Sequence, residues 1–184
     1  MKEQRKESVE FRYYEMPQGM PVLALLGERW EVPYGRDAMH FHNYLEIGYC
    51  YDGEGTVYLG EETFSYGPGT MTVIPRNFPH HTVGIDSEPQ KWEYLFIDSE
   101  GILQGAFANK PRIAEKLLER LHERMYVLPH GTAPETEALL KMIFEEMRER
   151  RELYGEVVRG ELLAFLLELI RQNPREAASD ISLP

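Results

Sequence analysis

The sequence predicts a mainly β protein with a helical C-terminal part. From residue 20 to about 98, Gly and Pro interrupt the chain every six to twelve residues, and the intervening segments are rich in Val, Ile, Tyr, Phe and Thr. Many short strands bounded by turn residues are typical of a sandwich or a barrel. Beyond Gly101 the apolar residues recur with helical spacing. The two periodicities therefore predict a β domain followed by helices.

Seven segments are candidate strands: PVLALLG, NYLEIGYCY, GTVYLG, ETFSYG, TMTVIP, HHTVGI and KWEYLFID. Turn signals separate them, at Asp52-Gly53, Gly60-Glu61 and Gly67-Pro68-Gly69. Asp-Gly between two apolar runs is a strong hairpin signal, so Asp52-Gly53 predicts a β-hairpin.

About three helices follow. The first opens at Pro111, the second begins near Pro134, and the third runs from about Glu156 to Gln172 before Pro174. The third helix carries an apolar stripe wide enough to include Leu163 and Leu167, so it must be covered on two sides. The stripe either packs against the second helix or contacts a partner subunit.

Composition limits the function classes. The 184-residue chain has a net charge of −11, and its Lys and Arg are not concentrated in any window, which argues against nucleic-acid binding by this chain alone. No apolar run reaches the length of a membrane span. The single cysteine, Cys50, excludes an internal disulfide and fits a cytoplasmic location. We expect Cys50 to be a small buried side chain rather than a nucleophile.

The segment HFHNYLE, residues 40–46, is the first candidate site. On one strand His40, His42 and Glu46 would share a face. That face is either the water-exposed side of an ordinary strand or a metal site. A second segment, GTMTVIPRNFPHH, brings His80 from another strand, and the combination favours a site between strands.

Together the two segments resemble the cupin family. The first cupin motif is matched by His40, His42, Glu46 and Gly53, with Gly35 one residue closer than usual, and the second by Gly69, Pro75 and His80. Asn77 replaces a glycine of the second motif, and Gly84 replaces its final asparagine. The resemblance implies a double-stranded β-helix, or jelly-roll barrel. It also implies a site for one divalent transition metal (Zn, Ni, Mn or Fe) at His40, His42, Glu46 and His80, although some cupins hold no cofactor.

Residues 10–172 also resemble the N-terminal effector-binding and dimerisation domain of AraC-type transcription regulators. The resemblance rests on the run from His40 to Val83, followed by QKWEYLFIDSEG and then by helices. It implies a pocket for a sugar-like effector that Trp92 and Tyr94 line together with the four metal-site residues. Trp92 equally suits a plain core role.

These resemblances divide the chain into a barrel (1–100), a helical dimerisation segment (101–174) and a tail or linker (175–184). They imply a homodimer through the C-terminal helices, with DNA bound only by a helix-turn-helix domain that this chain lacks, and no membrane contact. They favour a sensor without catalytic residues. One alternative is a metal-dependent cupin enzyme, either an isomerase or a dioxygenase, that uses the same three-His/one-Glu site. The other is a cupin barrel that serves only in assembly. We expect His81 at a rim or surface, and His122 and His130 in solvent.

Overall fold

The computed structural model describes residues 9–27, 31–32, 38–85 and 90–172. Gly35 and the tail 175–184 lie outside them. The strands are β1 (Glu10–Arg12), β2 (Val22–Leu25), β3 (Glu31–Val32), β4 (His40–His42), β5 (Leu45–Asp52), β6 (Gly55–Leu59), β7 (Glu62–Tyr66), β8 (Met71–Ile74), β9 (His80–Gly84), β10 (Gln90–Ile97) and β11 (Tyr126–Leu128). The helices are α1 (Ser99–Ala106), α2 (Pro111–His122), α3 (Pro134–Glu149) and α4 (Tyr154–Gln172).

The strands form two sheets. Sheet A has the order β1-β4-β9-β6-β7, and sheet B has the order β11-β8-β5-β10-β2, with β3 also paired to β10. Strands that are consecutive in sequence often lie in different sheets, as expected for a jelly roll. The mainly β fold class with C-terminal helices is therefore confirmed, and the helices number four among the described residues because Ser99–Ala106 also forms a helix.

Two local predictions were wrong, and both concern connections between the sheets. Asp52-Gly53 is not a hairpin turn, because it joins β5 in sheet B to β6 in sheet A; the hairpin is at Gly60-Glu61, between the paired strands β6 and β7. The stretch from His40 to Cys50 is not one strand. It breaks at Asn43-Tyr44, so that β4 lies in sheet A and β5 in sheet B.

The larger core lies between sheet B and the helices. The outward side chains of β5 and β10, such as Ile47 and Leu95, pack against apolar side chains of α1 to α4. The wide stripe of α4 is part of this core, since Leu162, Phe165 and Leu166 are all fully buried within the single chain. Intramolecular packing thus accounts for the centre of that stripe. The short strand β11 pairs with β8 and attaches the helical part to sheet B.

No helix in the described ranges has the length and apolar character needed to cross a membrane.

Candidate functional site

Side chains from both sheets meet inside the barrel. His40 and His42 lie on β4, and His80 lies on β9, so all three belong to sheet A. His80 is the cross-strand partner of His40. Glu46 comes from β5 in sheet B. They converge because the inner faces of two packed sheets oppose each other. Each of these four residues is at most 5% exposed.

The distances fit a shared binding point. The ligand atoms of His40, Glu46 and His80 lie within 4.8 Å of one another. His42 adjoins this group, with its Nε2 atom 2.9 Å from Glu46 Oε2 and its ring centroid 4.9 Å from that of His80. The structure therefore brings together all four residues that the cupin resemblance named. Their role as ligands remains a prediction.

The backbone fixes the orientation of all three imidazoles in the same way. In each ring Nδ1 lies within hydrogen-bonding distance of a main-chain carbonyl oxygen. His40 Nδ1 lies 2.9 Å from the oxygen of Ala38, and His42 Nδ1 lies 2.8 Å from that of Tyr44. His80 Nδ1 lies 2.9 Å from the oxygen of Phe78. A carbonyl oxygen only accepts, so Nδ1 must carry the hydrogen. In each ring Nε2 then faces into the barrel, where it offers a lone pair whenever the ring is neutral, as in metal-ligating histidines.

This donor set suits a divalent transition metal. In the neutral tautomer, His42 Nε2 has no hydrogen to donate, yet it lies 2.9 Å from a carboxylate oxygen of Glu46. Two atoms that both offer lone pairs at this distance require a proton or a cation to hold them together. Three imidazole nitrogens and one carboxylate suit zinc, nickel, manganese or iron.

The electrostatics of the cluster keep Glu46 ionised and His40 neutral. Burial by itself would raise the pKa of the Glu46 carboxyl, but the charges of His80 and His42 and their hydrogen bonds outweigh it and hold that pKa well below its usual range. Burial, together with the charge of His80, lowers the pKa of His40 to about 4. A carboxylate and a neutral imidazole are the protonation states that bind a metal ion.

The turn before β9 explains one departure from the cupin pattern. Asn77 has φ of 61°, a left-handed conformation that glycine adopts freely and asparagine tolerates better than most residues. Its backbone N–H donates to the carbonyl oxygen of His42 over 2.7 Å. The glycine-to-asparagine replacement therefore keeps the turn that leads into His80.

The aromatic side chains predicted to line the pocket lie on β10. Trp92, Tyr94 and Phe96 are the cross-strand partners of Cys50, Gly48 and Glu46, so they share the inner face of sheet B. Tyr94 is partly exposed. Trp92 is 2% exposed and packs edge-on against Tyr66 at a centroid distance of 4.9 Å, within a smaller apolar cluster that fills one end of the barrel. Its surroundings match the core role, while pocket lining by Trp92 and Tyr94 remains a prediction.

A side chain that the sequence did not predict also reaches the site. The ring of Tyr14 stacks on Phe96 with centroids 3.7 Å apart and lies 6.1 Å from the ring of His42. The Asn43 amide holds the Tyr14 backbone by two hydrogen bonds of 3.0 Å each. No spacing in the sequence signals this contact, because it depends on the parallel pairing of β1 with β4.

The burial predicted for the remaining histidines and for Cys50 was correct for some of these residues and wrong for others. His81 was wrongly expected at a rim or surface: it is 4% exposed, and its ring stacks on Tyr58. His122 was wrongly expected in solvent, since burial lowers its pKa to about 4 and its Nε2 atom lies 3.0 Å from the Ser99 hydroxyl. The His130 side chain is 69% exposed, as expected. Cys50 is fully buried, as expected, and burial raises the pKa of its thiol to about 12.

Several solved structures match part of the chain. They include a Cupin 2 conserved barrel domain protein from Salinispora arenicola CNS-205 (16% identity, 42% of this chain and 74% of that chain, TM-score 0.35). KdgF from Halomonas sp. matches at 23% identity over 36% of this chain and 64% of that chain, with a TM-score of 0.33. The AraC-like transcriptional activator CuxR matches at 16% identity over 68% of this chain and 42% of that chain, with a TM-score of 0.43.

No protein of curated function matches the chain significantly. The family model of the AraC-like ligand binding domain matches residues 22–177, which is most of the chain and includes β2 to β11 and the four helices of the described residues. The chain therefore belongs to the family of AraC-like ligand-binding domains.

Proposed function

We propose that this domain senses a small sugar-like effector inside the barrel, next to a divalent transition metal held by His40, His42, Glu46 and His80. When bound, the metal would supply a Lewis-acidic centre with open positions for oxygen donors of the effector. The chain's own residues fix the site: the backbone orients the imidazoles, Glu46 provides the negative charge, and Tyr14 and Phe96 shield one side.

The observation that supports the metal most strongly is the common orientation of the three imidazoles. Each Nδ1 atom is bonded to a backbone carbonyl, so three Nε2 lone pairs and one carboxylate point inward from surroundings that exclude water. Burying four electron-pair donors together is unfavourable unless protons or a metal ion compensate them, and the shared inward orientation of the three rings favours the metal ion.

Polar contacts on the outer face of sheet B connect β5 and β10, which line the site, to helix α3. The Tyr51 hydroxyl donates to Glu93 over 2.7 Å, and Arg148 of α3 forms an ion pair with the same carboxylate. The Tyr49 hydroxyl donates to Glu137 in the first turn of α3 over 2.7 Å. Tyr49, Tyr51 and Glu93 lie on β5 and β10, the strands whose opposite faces line the barrel. An effector that favours one position of these strands would therefore favour one position of α3.

Homodimerisation through the C-terminal helices is part of the proposal. Because the chain itself buries the centre of the α4 stripe, we place the contact on apolar side chains that the helices leave exposed, Met142 (51%) and Val157 (41%). Met142→Glu is expected to give monomers in sedimentation experiments while leaving the fold intact. Ala106→Glu, which adds the same charge at an exposed end of α1, is the matched control. Dimers that persist in Met142→Glu would rule out this surface.

Metal content tests the site directly. Protein purified without a metal-affinity column and dialysed against zinc is expected to retain about one ion per chain by mass spectrometry. His80→Ala removes one of the inward Nε2 atoms and is expected to lower the affinity at least tenfold. His130→Ala, which removes an exposed histidine, is the control and should change nothing. Wild-type protein that releases its zinc as readily as His80→Ala would contradict the metal site.

A further inference from the structure

Two carboxyl groups meet between α3 and α4, which pack against each other in the large core. Glu146 of α3 is only 4% exposed, and its neighbour Met147 belongs to the apolar core. Glu161 of α4 lies between Val158 and Leu162, which are both fully buried. The charge of Glu146 acts on the pKa of Glu161, so the two carboxyl groups lie close together.

Each of the two carboxyl groups has an oxygen that lacks a hydrogen-bond donor. Arg151, in the connection between the helices, donates to Glu146 Oε2 over 2.7 Å, so this oxygen is satisfied. Glu146 Oε1 and Glu161 Oε2 are buried, and no residue in the described part of the chain forms a hydrogen bond with either atom. A buried carboxylate oxygen without a donor is unfavourable. One guanidinium beside two carboxylates also leaves a negative charge in excess.

The other charged groups around the pair do not remove this excess. Glu149 lies 3.2 Å from Arg151 Nε, and Glu149 and Glu145 both add negative charge near the guanidinium. Burial and the charge of Glu146 raise the pKa of Glu161, and Arg151 opposes them only in part. Three further arginines on or against these helices have other partners: Arg148 with Glu93, Arg159 with Glu156, and Arg120 with the carbonyl oxygen of Ile170.

A proton fits between the two unpaired oxygens better than a metal ion does. Calcium and magnesium take about six or more oxygen ligands, and within the described ranges no third histidine, cysteine, aspartate or glutamate joins this pair at ligand distance. A protonated carboxyl group, in contrast, donates the one hydrogen bond that the pair lacks. We propose that Glu161 takes up a proton from solvent and donates it from Oε2 to Glu146 Oε1, so that acid strengthens the contact between α3 and α4. This contact does not depend on the metal site.

The test replaces the proton by an amide. Glu161→Gln carries an N–H donor at every pH, whereas Glu161→Met has a similar length and helix propensity but no donor. At about pH 8, urea unfolding is expected to give Glu161→Gln an unfolding equilibrium constant about tenfold smaller than those of the wild type and Glu161→Met. A gain of this size is typical of a hydrogen bond to a charged group.

The pH dependence gives a second measurement. The pKa of Glu161 is raised from its ordinary value of 4.5, so its proton stabilises the fold fully below about pH 4.5, and this stabilisation is lost as the pH rises. The advantage of Glu161→Gln over the wild type should therefore shrink as the pH falls from about 8 to about 5.5. Glu115→Gln, which removes an exposed carboxylate from α2, is the control and should show no such trend.

A direct titration completes the test. In Glu146→Gln the neighbouring charge is absent, so the Glu161 carboxyl carbon is expected to titrate at a lower pH than in the wild type when followed by carbon-13 NMR. Three results would each overturn the proposal: equal stability of Glu161→Gln and Glu161→Met at about pH 8, an advantage of Glu161→Gln that is the same at both pH values, or an unchanged titration of Glu161 in Glu146→Gln.

Discussion

The two faces of sheet B have different surroundings, although the same strands form both of them. The inner face of β5 and β10 carries Glu46, Gly48, Tyr94 and Phe96 next to the candidate site, whereas the outer face carries residues such as Ile47 and Leu95 in the large core with the helices. Strand alternation alone produces this division. Because the two sets of side chains point to opposite faces, we expect that stability and metal binding can be altered separately, by choosing the face that is changed.

The largest effect is expected on the helical side. Leu166→Glu places an unpartnered carboxylate at a fully buried position of α4, and we expect it to prevent folding, because a buried charge without a partner costs several kcal/mol. Circular dichroism and urea unfolding measure this directly. A folded, stable Leu166→Glu protein would show that α4 packs less tightly against the chain than the structure shows.

A smaller effect is expected where polar side chains tie sheet B to α3. Tyr51→Phe removes the hydroxyl that donates to the buried Glu93 and should lower the free energy of unfolding by about 1 kcal/mol. Zinc affinity should change little, since Tyr51 lies on the face away from the site. A large loss of zinc affinity with unchanged stability would contradict the separation of the two faces.

The turn beside the site offers a test that depends on backbone conformation rather than burial. Asn77→Ala should destabilise the fold by about 1 kcal/mol, because alanine is disfavoured at a φ of 61°. Asn77→Gly should be close to neutral, since glycine adopts this conformation without steric cost. Urea unfolding of the two variants gives the difference. Equal stability of the two would mean that the turn adopts another conformation.

The smallest effect concerns the apolar end of the barrel. The Cys50 thiol has an ordinary pKa of 9.0, which burial raises to about 12. Between these values the native state holds a proton that the unfolded chain has lost, so Cys50 makes stability fall as pH rises. Cys50→Ala should show a shallower loss of stability between about pH 8.5 and 10. Identical slopes for the variant and the wild type would argue that the thiol is accessible to water.

Much of the fold was predictable because strand and turn residues are local signals. The seven candidate strands each overlap an observed strand, and two of the helices begin at Pro111 and Pro134, as the proline positions indicated. The hairpin assignment at Asp52-Gly53 failed because a turn dipeptide does not specify whether the next strand pairs with its neighbour or crosses to the other sheet. The helix Ser99–Ala106 was missed because its eight residues are too few to establish a clear period.

The residues of the candidate site could be predicted from the sequence, but the way in which the fold brings them together could not. His40, His42, Glu46 and His80 could be selected by motif, yet they meet because two sheets oppose each other, not because one strand presents them. The orientation of the imidazoles depends on three backbone carbonyls, and the approach of Tyr14 depends on the parallel pairing of β1 with β4. Contacts of this kind arise only from tertiary structure.

The central claim is that three imidazole Nε2 atoms and Glu46 form one metal site in the barrel. X-ray absorption spectroscopy of the zinc-loaded protein tests it most directly. We expect about three imidazole nitrogens and one carboxylate oxygen at about 2.0 to 2.2 Å from the zinc ion. A spectrum with at most one imidazole, or with sulfur at about 2.3 Å, would contradict it, because the zinc would then be bound elsewhere.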